Sequence, residues 1–544
     1  MSTTTPPPAD PGGPEYLEQG GGEPLGPSGG NGSGGGRRTA LIAGGAVAGL
    51  LAVGGGVWAA MSFFASGPQP AEMLPASTLG YASVDLDPSG GQKIEAFQMI
   101  EKFPAIKKEL DGLDADDDLL EKLFGELEDE CDGISYADDV KPWLGYRFAV
   151  AAVDLGEEMP TPVGVLQVKD AAAAEDGLAK LRDCESADTG GWAIEGDWAV
   201  IAETDKLAEQ VVDATADGTL ADDETFQKWN GELGEAGVMS MYASPDTGKY
   251  LLQMMESFPM GMSPMAMSST GSTDEIPEPE LSEEMTEALE EFEGMAATLR
   301  FADGALEFEA VGAAGSDQMA NLATDRGDDV VSTLPDDTAV AIGFGFPEGW
   351  MDRMLDQAAA MSGGEMTAED LAAEFETMTG MTVDDIETLL GESAALSLSS
   401  SIDLDAMFSS SDGSDIPVGA KVRGDAEAIQ DVVSRLVEAL GGPPEAFGTD
   451  ADGDLVAIGP DADYRGELLK DGGLGDTDAF QNVVREAEQA SAVVFVNFDA
   501  GDWLTSLAEG DKEAEENLEP LQGLGFSTWT TDEGAHAIFR LTTD

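Results

Sequence analysis

Asp138–Ala152 reads "DDVKPWLGYRFAVAA", and Asp384–Leu398 reads "DDIETLLGESAALSL". The two stretches align without a gap, sharing the acidic pair, an apolar residue, Leu, Gly and an apolar run. Working outward, their flanks align in the same order. "LPASTLGYASVDL" from Leu74 matches "LPDDTAVAIGFGF" from Leu334. "TPVGVLQVKDAAAAEDGLAKL" from Thr161 matches "IPVGAKVRGDAEAIQDVVSRL" from Ile416. "GWAIEGDWAVIAE" from Gly191 matches "TDADGDLVAIGPD" from Thr449, and "DDETFQKWNGELGEAGVMSMY" from Asp222 matches "DTDAFQNVVREAEQASAVVFV" from Asp476. "LRFADGALEFEAV" from Leu299 matches "TWTTDEGAHAIFRL" from Thr528. Blocks in one order predict two copies of one unit, the first over 74–313 and the second over 334–544, with a linker at 314–333.

Each copy reads as an alternating strand, one or two amphipathic helices, and then the quoted motif leading into a strand. A second strand, a helix capped by Asp170 or Asp425, and hairpins at Gly196-Asp197 or Gly453-Asp454 follow. Helices, a strand and a closing hairpin at Gly304 or Gly534 complete the unit. Short connections imply antiparallel pairing. The expected class is α+β, a mostly antiparallel sheet with helices on one face. Within the motif, Ser135 and Asp138 have capping-box-like spacing, and Thr382 and Asp385 show it one position out of register. Gly145 and Gly391 are expected in the αL conformation that ends a helix. Trp143 reads as a buried corner residue. Residues 255–298 are an insertion in the first copy, Met/Pro-rich and then acidic, expected to be a mobile loop.

Ahead of the repeats, Ala40–Ala65 carries no charge. It exceeds the ~20 apolar residues that a membrane helix needs. Arg37 and Arg38 precede it, and no basic residue follows until Lys93. The positive-inside rule then places residues 1–36, a Pro/Gly-rich tail expected to be disordered, in the cytoplasm. The anchor occupies 37–66, a linker 67–73, and the bulk of the chain lies outside the membrane. The apolar run is too long for a cleaved signal peptide, so an uncleaved single-pass anchor in the lipid bilayer is expected. Cys131 and Cys184 are the only cysteines. In an oxidising compartment they suggest one disulfide, with a stabilisation of roughly 4 kcal/mol in the chain-entropy model.

The 544 residues include 108 acidic and 26 basic side chains, a net charge of −82. That balance excludes a general nucleic-acid binder, because phosphate contacts need clustered Lys and Arg. It suits cationic partners, metal ions or high salt. One histidine, His536, is too few for a His-based zinc site. A Ser-His-Asp triad would have to use His536, but a strand-face histidine is more often structural. "DADGD" from Asp450 lacks the Gly and Glu of an EF-hand loop and aligns with a hairpin turn. Met260, Met262, Met265 and Met267 form two Met-x-Met pairs, a soft-ligand pattern suited to Cu(I). An adaptable apolar loop is the favoured reading, because methionine is common throughout the chain. Carboxylates are too abundant for any pair to mark a hydrolase. No catalytic constellation and no cofactor motif is found.

Leu74-Pro75, "DDVKPWLG" and the Asp222–Phe226 block resemble the family called domain of unknown function 3352. The resemblance runs over most of the chain from about Arg37. It implies an actinobacterial-type architecture of Pro/Gly-rich tail, membrane helix and extracytoplasmic domain, and it implies no activity. The expectation is a noncatalytic envelope module that binds an unidentified envelope protein or cell-wall component. The alternatives are an envelope-acting hydrolase using carboxylates and a copper- or calcium-responsive sensor.

Overall fold

The computed structural model describes residues 69–86, 90–109, 120, 133–157, 159–184, 190–234, 236–257, 286, 289–313, 324–361, 366–402, 416–440, 447–501, 503–504, 511–531 and 533–544. The strands of the first half are β1 Thr78–Asp85, β2 Leu144–Val153, β3 Thr161–Val168, β4 Gly191–Glu195, β5 Trp198–Ala202, β6 Met239–Ala243, β7 Met295–Ala302 and β8 Ala305–Gly312. Those of the second are β9 Thr338–Gly345, β10 Ser393–Ser399, β11 Val418–Arg423, β12 Gly448–Asp452, β13 Leu455–Gly459, β14 Ala492–Asn497, β15 Leu521–Thr530 and β16 Ala535–Thr543. The helices are α1 Gly90–Ile100, α2 Pro104–Glu109, α3 Ala171–Cys184, α4 Asp205–Ala214, α5 Glu224–Leu233 and α6 Asp246–Ser257, then α7 Trp350–Met361, α8 Ala368–Thr379, α9 Val383–Leu390, α10 Ala426–Leu440, α11 Ala462–Leu468, α12 Asp478–Val483 and α13 Lys512–Leu518.

All sixteen strands join one sheet, in the order β12-β13-β11-β10-β9-β14-β15-β16-β8-β7-β6-β1-β2-β3-β5-β4. Read from its outer edge, the first half runs β4-β5-β3-β2-β1-β6-β7-β8, and the second repeats that order strand for strand. Pairings within each half and across the join are antiparallel. The halves meet where β8 pairs with β16, and there Glu309 lies opposite Ile538. Aligning Leu299 with Thr528 makes those two residues counterparts, so a pseudo-two-fold axis passes between them.

The shared corner repeats down to individual hydrogen bonds. Leu74 and Leu334 are fully buried. Their carbonyls accept from Leu220 N at 2.7 Å and Leu474 N at 3.1 Å. Thr78 Oγ1 and Thr338 Oγ1 each donate to the preceding proline's carbonyl at 2.7 Å. Asp170 Oδ1 and Asp425 Oδ1 cap α3 and α10 as expected.

Helices cover both faces of the sheet, not one. On one face α4 and α5 close a core with Val165, Val200, Trp229 and Tyr242. On the other, α3 packs over Phe148, Val168 and Ala199, and α1 over Leu299 and Phe301. The second half repeats this with α11 and α12 on one side and α10 on the other. The physical reason lies in the strands. Ala199 and Val200 are neighbours facing opposite ways, and both are fully buried.

Several local expectations shift. Gly145 lies inside β2 with ordinary backbone, where an added Cβ would come within 2.6 Å of Gln167. Gly391 does have positive φ, at +61°, but with ψ −147° it is not αL. Ser135 makes no side-chain cap; its amide donates to Asp139 Oδ2 at 3.0 Å. In the second copy the Thr382–Asp385 box is complete, at 3.0 and 3.1 Å. The extra residue between Ser135 and Asp139 is taken up by a π-turn, Tyr136–Val140, in which Lys141 N bonds Tyr136 O at 2.8 Å. Strand pairing also moves two aligned blocks by one residue: Gly191 corresponds to Gly448, and Val165 to Lys421. Val330 and Val331, inside the stretch read as linker, are fully buried in the second core. The insertion ends before β7 begins at Met295.

Candidate functional site

The anchor segment 40–65, Arg37, Arg38, Cys131 and the four methionines Met260, Met262, Met265 and Met267 lie outside the described residues. Among the described residues no helix is long and apolar enough to cross a membrane, and no group of His, Cys, Asp and Glu is placed to hold a metal ion. Cys184 ends α3. Asp450–Asp454 form the β12–β13 hairpin, with Gly453 at φ +67°. Trp143 is buried and donates Nε1 to Asp139 O at 2.6 Å. It is the corner residue the sequence suggested.

His536 is buried at the seam between the halves, on the face opposite Ala535, Ala537 and Phe539. Its ring stacks on Trp529 at 4.9 Å. Its Nδ1 sits 3.7 Å from Glu309 Oε1, beyond hydrogen-bond length. Ser527, one strand over on the same face, donates its hydroxyl to Arg485 O. These contacts form no relay of nucleophile, base and orienting acid.

The seam carries a charge network that the sequence reading missed. Glu307 is buried between two guanidinium groups: Arg300 Nε donates to it at 2.6 Å, and Arg540 pairs with it from the other half. Arg300 also pairs with Glu309 and donates to Leu233 O at 2.7 Å. Arg540 further donates to Asn482 O at 3.0 Å and Ala302 O at 3.1 Å. The available signal was "LEFEA" in β8 facing "IFRL" in β16. Alternation alone would turn the acids toward solvent and the apolar residues inward. In the fold Glu307 and Glu309 are buried, while Leu306 and Phe308 are only partly covered.

Two more charged groups stand in the second half of the molecule, Lys421 buried and Asp328 half-buried. Lys421 takes the place of Val165 and donates to Thr333 Oγ1 at 2.7 Å, Thr333 O at 3.0 Å and Lys470 O at 3.0 Å. Burial pushes its ammonium down to about 8. Asp328 is pushed up to about 6 by burial, with Asp329 and Glu488 adding repulsion.

The first copy's outer edge is open. Around β4 lies a groove of about 480 Å³, with Trp192, Ala193, Ile194 and Val212 as its apolar lining. Trp192 Nε1 donates to Glu175 at 2.9 Å, and the Arg182 guanidinium lies 4.3 Å from the indole centre. Asp205 Oδ1 accepts from Trp192 N at 3.1 Å and sits 3.6 Å from Arg182. Glu195, Glu209 and Asp213 complete the rim. These three side chains meet no cation among the described residues. Glu209 and Asp213 are four residues apart on α4, so they repel, and Asp213 stands at the helix end that disfavours an acid.

The second copy finishes the same edge differently. Arg465 of α11 aligns with Ala208, which is fully buried in the first core, and it reaches over β12 to Asp450 at 2.8 Å and Gly459 O at 2.7 Å. Asp450 itself stands where the first copy has Ala193. Lys470 and Gly466 replace Asp213 and Glu209.

No curated protein and no solved structure matches the chain. The sequence model of a family described as protein of unknown function (DUF3352) matches residues 41–385, from the apolar segment through the first copy and into α9 of the second. That is more than half the chain, and the chain therefore belongs to the DUF3352 family of proteins of unknown function.

Proposed function

We propose that this is a membrane-anchored extracytoplasmic protein whose duplicated sheet serves as a noncatalytic binding module of the cell envelope. The observation that carries the binding role is the open, acid-rimmed groove at β4, whose sister edge at the opposite end of the sheet carries the Arg465–Asp450 ion pair instead. The two copies share their corner and capping hydrogen bonds, whereas their polar side chains differ. That is the pattern of a common scaffold with one edge left available. The charge-free run 40–65 behind Arg37-Arg38 supports the anchor and its orientation. A Cys131–Cys184 disulfide fits the same placement, since these are the two cysteines of the chain. The net charge of −82 favours a cationic partner.

The test is crosslinking of the full anchored chain in living cells, with identification of captured partners. A partner exposed outside the membrane is expected, captured through residues around β4. Capture of cytoplasmic proteins alone, or of none across growth conditions, overturns the proposal.

A further inference from the structure

We infer that the seam between the halves is an acid-operated latch, fastened by one proton shared between Glu232 and Glu533 and by a second on His536 opposite Glu309. Two junctions flank the β8–β16 pairing, and each sets a hairpin turn of one half against the end of a helix in the other. One is closed by opposite charges: Asp303 of the β7–β8 turn meets Arg485, just beyond α12, at 2.9 Å. At the other, Glu533 of the β15–β16 loop meets Glu232 of α5, a like-charged pair within hydrogen-bond reach. The loop sits hard against that helix: a Cβ added at Gly534 would come within 2.9 Å of the Trp229 indole. Two carboxylates so placed repel, and one shared proton turns the repulsion into a hydrogen bond. That hydrogen bond, with burial and the charge of Glu533 behind it, holds the Glu232 carboxyl above its ordinary value against the opposing pull of His536 and Lys228. The native chain therefore binds more protons here than the unfolded one. The contribution is present below 4.5, the unfolded value, and is lost as pH rises through the native one.

His536 supplies the second part. Its ring lies within 8° of parallel to Trp529, which fixes the direction of Nδ1. That nitrogen is buried without a hydrogen-bond partner. Arg300 engages Glu309 through Oε2, and Oε1 faces the imidazole at 3.7 Å. A protonated imidazole donates from both nitrogens, so a small approach gives Nδ1 and Oε1 to each other as a charged pair. The other charges around the ring are already engaged. Glu307 lies between Arg300 and Arg540, and Lys228 is exposed over the Trp229 ring at 3.8 Å. A histidine takes up its proton on the acid side of neutrality, so both protons fasten the seam in the same direction.

The test is hydrogen exchange of the full chain in detergent micelles, with protection factors for the β15–β16 loop compared at about pH 7.5 and about pH 4.5. Protection should rise at least about tenfold on acidification. Glu533→Gln, whose amide donates to Glu232 without an added proton, should be protected at both pH values and lose the rise. Glu533→Lys, which copies the opposite-charge junction of Asp303 and Arg485, should do the same. His536→Gln should cut the rise at least about threefold. Asp328→Asn, an acid outside the seam, should leave the rise within about twofold. Circular dichroism checks that each variant folds. No rise in the unaltered chain, an unchanged rise in folded Glu533→Gln or His536→Gln, or an equal loss in Asp328→Asn overturns the latch.

Discussion

The two outer edges of the sheet, β4 and β12, are the same strand of the same unit, finished differently. At β12 the helix supplies Arg465 and the strand supplies Asp450, so the edge satisfies its own charge. At β4 the helix supplies Glu209 and Asp213 and the strand supplies Ala193, so the edge is left acidic and recessed. Elsewhere the copies differ in the same manner. Val165 becomes Lys421, and a π-turn becomes a regular helix with a complete capping box. What they keep is the strand order, the Leu-Pro corner and the aspartate caps. The comparison separates residues the unit needs in order to fold from residues that are free to take on a task.

Four experiments break or sharpen that separation. The largest effect is expected at the seam, where the copies depend on each other. Arg540→Met leaves Glu307 buried with one cation fewer and should cost about 3–5 kcal/mol in urea unfolding. Adding Glu307→Gln should recover part of the loss. A cost below about 1 kcal/mol would mean that the halves hold together without this network.

Next comes Lys421, where the copies differ by a buried charge. Its ammonium releases its proton near pH 8 in the native chain and near 10.5 when unfolded. Between those values the unfolded chain binds more protons, so native stability rises with pH, by up to about 3 kcal/mol. Thermal unfolding of Lys421→Met should show that rise abolished; an unchanged slope would place the titration elsewhere.

Asp328 has the opposite sign. Its native carboxyl titrates near 6 against 3.8 unfolded, so the native chain holds the extra proton. Stability is greatest below pH 4 and falls as pH rises through 6, by about 2 kcal/mol after solvent screening. Asp328→Asn should flatten that fall, and a retained fall would assign it to other carboxylates.

The smallest effect compares the two corners. Thr382→Ala removes a side-chain cap and should cost about 1 kcal/mol, whereas Ser135→Ala removes none and should stay within about 0.5 kcal/mol. Equal costs would contradict the distinction between a capping box and a π-turn.

Much of the fold was legible in the sequence because repeats, turn glycines and aspartate caps act locally. Gly196, Gly304 and Gly453 all adopt positive φ in the expected hairpins. Asp303 joins Gly304 with φ +53°, as a two-residue type I′ turn requires. The second helical layer was not legible. Short Ala- and Val-rich strands bury both faces without a clear alternation, so the period does not reveal that both sides are covered. The seam was hidden for a different reason. Glu307 and Arg540 are 233 residues apart, and each looks like an ordinary solvent-facing charge until its partner strand arrives. The groove was hidden because it is a difference between copies. Trp192 and Glu209 are unremarkable alone, and the acidity of this edge shows only when Glu209 and Asp213 are set beside Gly466 and Lys470.

The distance along the chain across the β8–β16 pairing also matters for the order of events during synthesis. β8 leaves the ribosome long before β16 exists, and until then the completed first unit presents β8 as a raw sheet edge. Such an edge invites pairing with any other extended segment. Glu307 and Glu309, paired so far only with Arg300 of the neighbouring β7, then stand on that edge without the cover of β16. Charges of this kind discourage stray strands, and a strand bearing Arg540 answers one of them. The same two carboxylates would guard the unfinished molecule and, once β16 docks, become part of the seam that closes it.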